Sequence, residues 1–161
     1  MSRSARLIQQ LDGFSTLRTR MFWLVGLQGS GKTRLLREVE NLRPECEYLN
    51  LNLALALRLV EEVPAQRAFS AGRHLAGILC ERDRGAWLVD NIELLFSRDL
   101  HLQVVDRLKS IALRVSLVVA WPGRLENHKL TYGSRDHPDF QRYPLDPPLY
   151  TDLNDTNHQD S

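Results

Sequence analysis

The sequence predicts a single α/β domain with a mostly parallel, five-stranded sheet and helices on both of its faces. Short runs that are apolar or alternate in polarity have the length of buried strands and lie at 21–25, 47–51, 86–90 and 115–120. The segments between them carry leucines at helical spacing. Alternation of strands with helices is typical of a parallel sheet that is covered on both sides. A fifth strand is expected at 129–132.

Composition narrows the class of protein. The chain has 161 residues, and its 21 basic and 20 acidic residues give a net charge of +1, so no overall basic field indicates a nucleic-acid partner. Cys46 and Cys80 stand alone, which predicts reduced, buried thiols rather than disulfides or a cysteine metal site. No apolar run reaches the roughly 20 residues that span a bilayer. We therefore expect a soluble, cytoplasmic protein without a membrane partner.

Three parts of different character follow one another along the chain. Residues 1–20 contain apolar side chains at helical spacing and are expected to form an amphipathic helix and a lead-in to the first strand. Residues 21–133 hold all the predicted strands and form the core. Residues 134–161 are rich in proline and polar residues, and the tail from Thr151 onward is expected to be disordered.

The most informative stretch lies directly after the first strand. Residues 26–33 read GLQGSGKT and fill the phosphate-loop template G-x-x-x-x-G-K-(S/T) at every position. Its glycines allow backbone N–H groups to approach phosphates, and Lys32 brings a positive charge to the β and γ oxygens. The sequence thus predicts a P-loop NTPase domain. The expected nucleotide-binding residues of this glycine loop are Gly26, Gln28, Gly29, Ser30, Gly31, Lys32 and Thr33.

An acidic residue at the end of a later strand supports this interpretation. The apolar run at 86–90 ends in Asp90, which resembles a Walker B strand. A carboxylate in that place would hold Mg²⁺, usually through water, opposite the hydroxyl of Thr33. The alternative is an ordinary strand end that happens to carry an aspartate. Thr33 and Asp90 are the predicted magnesium ligands, with ATP as the nucleotide because no guanine-selecting N-K-x-D element is present.

The residues after Asp90 bear on hydrolysis. Many ATPases of the class with an added central strand carry a glutamate next, whereas this chain has Asn91, which can orient a water molecule but cannot take its proton. Glu93 could act as the general base if the turn brings it toward the γ phosphate. Alternatively, Glu93 begins the following helix, where the helix dipole favours a carboxylate. Glu93 and Asn91 are the candidate catalytic residues, and both interpretations of Glu93 stay open.

The predicted core is AAA+/ASCE-like, with two departures from that pattern. The strand at 115–120 runs into Trp121, whereas AAA+ proteins commonly carry a polar sensor residue there. The indole of Trp121 either stacks on a base or a partner or, as we favour, packs inside the domain. Residues 134–161 are too few and too rich in proline for a full C-terminal lid, so none is expected.

Several segments together resemble a known family. These are FWLVG at 22–26, YLNLN at 48–52, LVDNIELLF at 88–96, and LTY at 130–132 before the His-Pro pair at 137–138. Taken over nearly the whole chain, they resemble the BrxF family, small P-loop proteins of type 3 BREX phage-defence systems. The resemblance implies an ATP-binding protein that works in a multi-protein bacterial system, alongside a methyltransferase, to distinguish and restrict phage DNA.

Three functions are consistent with these features. The first is a weak or partner-stimulated, Mg²⁺-dependent ATPase or ATP-gated switch, active as a homo-oligomer or with other phage-defence proteins. The second is a nucleotide-binding adaptor without turnover, and the third is a small-molecule kinase. DNA contact is a minor alternative, because the net charge does not support it. For the ATPase, an arginine of a neighbouring subunit could complete the site; the candidates are Arg82, Arg84, Arg114 and Arg124.

Overall fold

The computed structural model describes residues 1–81, 85–138 and 140–154 of the chain. Their helices and strands follow in the order α1 (Arg3–Asp12), β1 (Met21–Val25), α2 (Lys32–Leu42), β2 (Glu47–Asn50), α3 (Leu51–Leu59), α4 (Arg67–Leu79), β3 (Ala86–Asp90), α5 (Val104–Ile111), β4 (Ser116–Trp121), β5 (Gly123–Glu126), β6 (Lys129–Tyr132), β7 (Gln141–Pro144) and β8 (Tyr150–Asp152). Short 3₁₀ helices cover Phe14–Thr16, Pro64–Gln66, Glu93–Phe96 and Arg98–Leu100.

A five-stranded parallel sheet forms the centre of the molecule, with the strand order β2-β3-β4-β1-β8. In this register Val25 at the end of β1 lies beside Trp121 of β4, and Asn50 at the end of β2 lies beside Asp90 of β3. The α/β class and the five-stranded parallel sheet predicted from the sequence are confirmed. Since all five strands run the same way, their carboxyl ends meet at one edge, which is where ligands bind in open sheets of this kind.

Helices cover both faces of this sheet. Met21, Trp23 and Val25 of β1 face a core formed with α3, α4 and α5. Phe22 and Leu24 face the opposite side and pack with apolar residues of α1 and α2. Because both faces are covered, every residue of β1 and of β3 is buried, which explains why these strands read as unbroken apolar runs.

The fifth strand of the central sheet is not the predicted one. Lys129–Tyr132 is the strand β6, but it pairs antiparallel with β5 and β7 in a separate three-stranded sheet. The fifth place belongs to β8, which lies parallel to β1. The Leu153 N–H donates to the Val25 carbonyl at 2.8 Å, which extends this pairing. Disorder from Thr151 is therefore wrong for 151–154, and the remainder of that tail lies outside the described residues.

Trp121 joins the two sheets. Its ring is fully buried and packs edge-on against Trp23, with 5.5 Å between the ring centroids. Its Nε1 donates a hydrogen bond of 2.8 Å to the carbonyl of Thr131 in β6. Trp121 therefore packs inside the domain, as favoured from the sequence, and does not present a face for stacking on a base.

The structure describes both cysteines and all the helices of the described residues. Neither Cys46 nor Cys80 forms a disulfide within the part of the chain that the structure describes; Cys46 is buried as expected, but Cys80 is exposed, because it follows the last residue of α4 on the surface. Within the described residues, no helix combines the length and the apolar character that crossing a membrane would need.

Replacing Leu153 tests whether the segment around β8 belongs to the folded domain. This side chain is 1% exposed, so Leu153→Ala should lower the free energy of unfolding by about 2–4 kcal/mol through the cavity that it leaves. Urea denaturation measures this quantity. The control is Leu113→Ala, the same chemical change at a side chain that is 47% exposed, which should cost less than about 1 kcal/mol. Equally small losses in both variants would contradict the buried position of Leu153.

Candidate functional site at the carboxyl edge of the sheet

The glycine loop connects β1 to α2 and lies at the carboxyl edge of the sheet. Gly29 and Gly31 have φ angles of 82° and 99°, in the left-handed region that residues with a Cβ rarely adopt. At Gly26 an added Cβ would lie 2.1 Å from Oγ and 2.9 Å from Cβ of Ser30, so the Ser30 side chain would have to shift. The backbone path of the loop therefore favours glycine at 29 and 31, and the Ser30 side chain occupies the space beside Gly26.

Neighbouring strands fix the loop from outside. The Gly26 N–H donates to the carbonyl of Trp121 at 3.1 Å. The Leu27 N–H donates at 2.9 Å to Oδ1 of Asn154, whose Nδ2 donates in turn to the carbonyl of Gly123. Asn154 was not predicted as a site residue, because no local pattern connects the carboxyl-terminal segment with this loop. Its side chain ties the loop to both sheets.

Lys32 is folded back over its own loop. Its Nζ donates to the carbonyl oxygens of Gly26 and of Leu27, the latter at 3.0 Å. Burial lowers the pKa of the Lys32 ammonium, while the negative charges of Asp90 and Glu93 act in the opposite direction. The loop thus holds a partly desolvated cation, which an anion in the loop would stabilise.

Two further features of the glycine loop are also suited to an anion. Ser30 Oγ is buried and has no hydrogen-bond partner within the part of the chain that the structure describes. α2 begins at Lys32, and Gly31, the residue before it, offers no side chain to cap the helix. The first N–H groups of a helix that lack a side-chain cap attract anions through their partial positive charge.

Asp90 is the centre of the hydrogen-bond network at this edge. It is 3% exposed, at the end of β3. Its Oδ2 accepts hydrogen bonds from Thr33 Oγ1 at 2.5 Å and from the Tyr48 hydroxyl at 2.7 Å. Its Oδ1 accepts from the Asn91 N–H at 3.0 Å. The structure thus brings together the two predicted magnesium ligands, Thr33 and Asp90, which are 57 positions apart in the chain.

Tyr48 was not predicted as a member of the site. It lies in β2, which pairs with β3, so its side chain reaches the carboxylate of the neighbouring strand. Burial, followed by the hydrogen bond to Asp90, raises the pKa of Tyr48 to about 12. The phenol therefore remains protonated, and able to donate, throughout the neutral range. The polar alternation of β2 was the available signal, but it does not show which polar side chain faces Asp90.

Glu93 begins a short helix, as one of the two interpretations left open above predicts, and its role as a general base stays a prediction. It is the first residue of the 3₁₀ helix Glu93–Phe96, and it is exposed. Its Oε2 accepts a hydrogen bond of 2.9 Å from Asn52 Nδ2, while Asn52 Oδ1 accepts from the Leu94 N–H at 2.8 Å. Glu93 also contributes to the electrostatic environment of Lys32. Asn52, which fixes the direction of the Glu93 carboxylate, was not predicted.

Asn91 turns the chain between Asp90 and Glu93. Its φ angle is 55°, a left-handed conformation that asparagine tolerates better than most residues with a Cβ. Both of its main-chain polar groups are engaged, the N–H with Asp90 and the carbonyl with the Asn52 N–H at 2.8 Å. The bend places Glu93 on the solvent side of the buried strand end.

The four arginines considered as donors to a neighbouring subunit are not equivalent. Arg114 is exposed just before the amino end of β4, on the edge opposite the glycine loop. Arg124 is exposed on β5, which follows the carboxyl end of β4 on the loop side. Arg82 and Arg84 lie outside the described residues. Of the two described candidates, only Arg124 lies on the side of the loop.

The donor set suits one kind of metal better than others. Across residues 1–81, 85–138 and 140–154, no group of three or more His, Cys, Asp or Glu side chains is arranged to hold a metal ion. Thr33 and Asp90 offer one hydroxyl and one carboxylate. Such a sparse oxygen set fits Mg²⁺, which takes few protein ligands and fills its shell with water and substrate phosphate oxygens.

Comparison with known proteins adds no family to this description. None of the protein-family models matches the chain, and neither the curated proteins nor the solved structures include a match to it.

The protonation of Lys32 can be measured directly. We expect its pKa to lie below the ordinary lysine value of 10.5, because burial disfavours the ammonium. The chain has three lysines, so selective ¹³C-lysine labelling followed by an NMR pH titration of the ε carbons resolves them without altering the amine, and Lys32→Arg assigns the signal. Anion affinity should accordingly fall as the pH rises through this pKa. A Lys32 pKa at or above 10.5 would contradict the desolvated position.

Proposed function

We propose that this protein is a P-loop NTPase that binds ATP and Mg²⁺ at the carboxyl edge of its sheet, with an AAA+/ASCE-like core. The observation that carries the proposal is the contact of Thr33 Oγ1 with Asp90 Oδ2 at 2.5 Å, directly beside the glycine loop. A phosphate-loop sequence alone supports anion binding, but a hydroxyl paired with a buried carboxylate from another strand adds the oxygen ligands that a magnesium nucleotide needs.

In this proposal the glycine loop holds the phosphates. The N–H groups of Gly29 and Gly31 and the first turn of α2 would face the negative charge, whereas the Ser30 N–H already donates to the Leu27 carbonyl at 3.1 Å. Lys32 leaves the carbonyl oxygens of Gly26 and Leu27 for the β and γ oxygens, and the phosphate charge offsets the burial of its ammonium. The Ser30 hydroxyl, which has no described partner, gains one in the bound nucleotide.

Hydrolysis would use the residues after Asp90. Glu93 takes a proton from the attacking water, while Asn52 orients its carboxylate through the hydrogen bond of 2.9 Å. Asn91 supplies the bend between the metal ligand and the base and can orient water through its amide. The exposure of Glu93 favours slow turnover by the isolated chain, because water and counterions screen an open site. A partner that covers this edge would raise the rate.

The cellular role is proposed from the resemblance to the BrxF family. It supports an ATP-dependent switch within a multi-protein phage-defence system, working as a homo-oligomer or with other components of that system. Of the two candidate arginines that the structure describes, Arg124 lies on the side of the glycine loop. It is therefore the one proposed to complete the site of a neighbouring subunit.

A small-molecule kinase is the second candidate, favoured by one observation. A cavity of about 430 Å³ opens beside Glu93; its lining residues are Glu93, Phe96, Ser97, Arg98, Tyr132, Gly133, Ser134 and His137. A phosphoryl acceptor in this cavity would lie next to the candidate base. Phosphate release in the absence of any acceptor separates the two functions, since a kinase should be nearly silent there.

Lys32→Ala tests the nucleotide site. We expect a loss of ATP affinity of at least about 30-fold by isothermal titration calorimetry, because the variant lacks the cation that faces the phosphates. The control is Lys129→Ala, which removes the same charge from an exposed position in β6. Unchanged affinity in Lys32→Ala would remove the central claim of the proposal.

Glu93→Gln and Asn91→Ala test the assignment of hydrolysis. Glu93→Gln keeps the hydrogen bond to Asn52 but cannot accept a proton, so phosphate release should fall about 100-fold while ATP affinity is retained. Asn91→Ala should reduce release less. The assay is run at several protein concentrations, because a rise in rate per chain reports a shared site. If neither variant slows release, both catalytic assignments are wrong. If the wild-type chain binds ATP but releases no phosphate at any concentration, the ATPase is excluded, and the binding adaptor and the kinase are left.

A further inference from the structure

The hydroxyl of Tyr48 shares one carboxylate oxygen with the hydroxyl of Thr33. Both donate to Oδ2 of Asp90, at 2.7 Å from Tyr48 and 2.5 Å from Thr33. The three oxygens therefore form one cluster at the place where a magnesium ion would meet the protein.

Each hydroxyl of this cluster has one hydrogen atom to donate and lone pairs that can accept or bind a cation. The hydrogen atom of the Thr33 hydroxyl points to Asp90, so its lone pairs are left for a cation. The Tyr48 hydroxyl donates its hydrogen atom to the same carboxylate oxygen, from β2. With Oδ1 accepting from the Asn91 N–H, the carboxylate of Asp90 is held at both oxygens and cannot rotate away without breaking a hydrogen bond.

Tyr48 is itself held by the helix that follows the glycine loop. Its N–H donates to Oε2 of Glu40 at 2.6 Å. The guanidinium carbon of Arg37 lies 3.6 Å from the centre of the Tyr48 ring, and Arg37 forms an ion pair with Glu40 at 3.1 Å. The helix that carries Thr33 thus also fixes the tyrosine that reaches the partner of Thr33.

We infer that Tyr48 is a positioning residue for magnesium: its hydroxyl fixes the Asp90 carboxylate against Thr33, so that the metal of a bound nucleotide meets a preformed pair of oxygen ligands. This inference rests on the proposed function, and it adds a residue that neither the glycine loop nor the Walker B-like strand contains. Pre-organised ligands bind more tightly because less conformational freedom is lost on binding.

Tyr48→Phe removes only the hydroxyl and keeps the ring beneath Arg37. We expect ATP affinity in the presence of Mg²⁺ to fall about 10-fold, the effect of losing one hydrogen bond to a carboxylate. Affinity in EDTA should stay unchanged, because phosphate contacts with the loop do not involve Asp90. Calorimetric titrations of ATP over a range of Mg²⁺ concentrations give both values. The matched control is Tyr150→Phe, the same change at an exposed tyrosine of β8.

The outcomes separate this inference from the proposed function. A wild-type chain that binds no ATP removes the proposed function, whatever Tyr48→Phe does. A wild-type chain with Mg²⁺-dependent binding that Tyr48→Phe leaves unchanged overturns the inference alone. An equal loss with Mg²⁺ and in EDTA would show a general disturbance of the fold, and tighter Mg²⁺ binding would show that the hydroxyl opposes the metal; both also overturn it.

Discussion

The buried carboxylate of Asp90 is the constraint on which the rest of the site depends. A carboxylate that is removed from water must be compensated by hydrogen bonds, and here three come from three different parts of the chain: Thr33 of α2, Tyr48 of β2 and the backbone at Asn91. Satisfying one charge therefore sets the position of the loop helix, of the neighbouring strand and of the turn leading to Glu93. This requirement therefore links three elements at the edge of the sheet where the glycine loop lies.

The N–H groups at the start of the glycine loop are held by neutral partners. Backbone groups of β4 and the side chain of Asn154 hold the loop by neutral hydrogen bonds to Gly26 and Leu27. Because these contacts are neutral, the positive electrostatic field at the loop comes from Lys32 and the start of α2. A positive field of this kind attracts an anion. The N–H groups of Gly26 and Leu27 are thus held by neutral partners, while the carbonyl oxygens of the same two residues accept from the Lys32 ammonium.

Features that lie within one short segment could be predicted from the sequence. Features that depend on which strands lie side by side could not. The glycine loop and the apolar run ending in Asp90 are each complete within a few residues, so both could be recognised. Tyr48 and Asn52 join the site only because β2 lies next to β3 and leads into α3, an arrangement that no local pattern specifies. β8 follows a proline-containing segment and has only three residues, so it is too short to show the alternation of apolar and polar residues that indicates a strand. Lys129–Tyr132 carries a good strand signal, but such a signal does not say which sheet a strand joins.

Trp121 has a further consequence for how this edge could be covered. Its carbonyl holds the glycine loop at Gly26, while its indole holds the small antiparallel sheet at Thr131. Swinging that sheet outward would break a buried hydrogen bond and bring a fully buried tryptophan into water beside the loop. The three-stranded sheet is therefore a fixed wall of the site and is poorly suited to act as a hinged cover over a nucleotide.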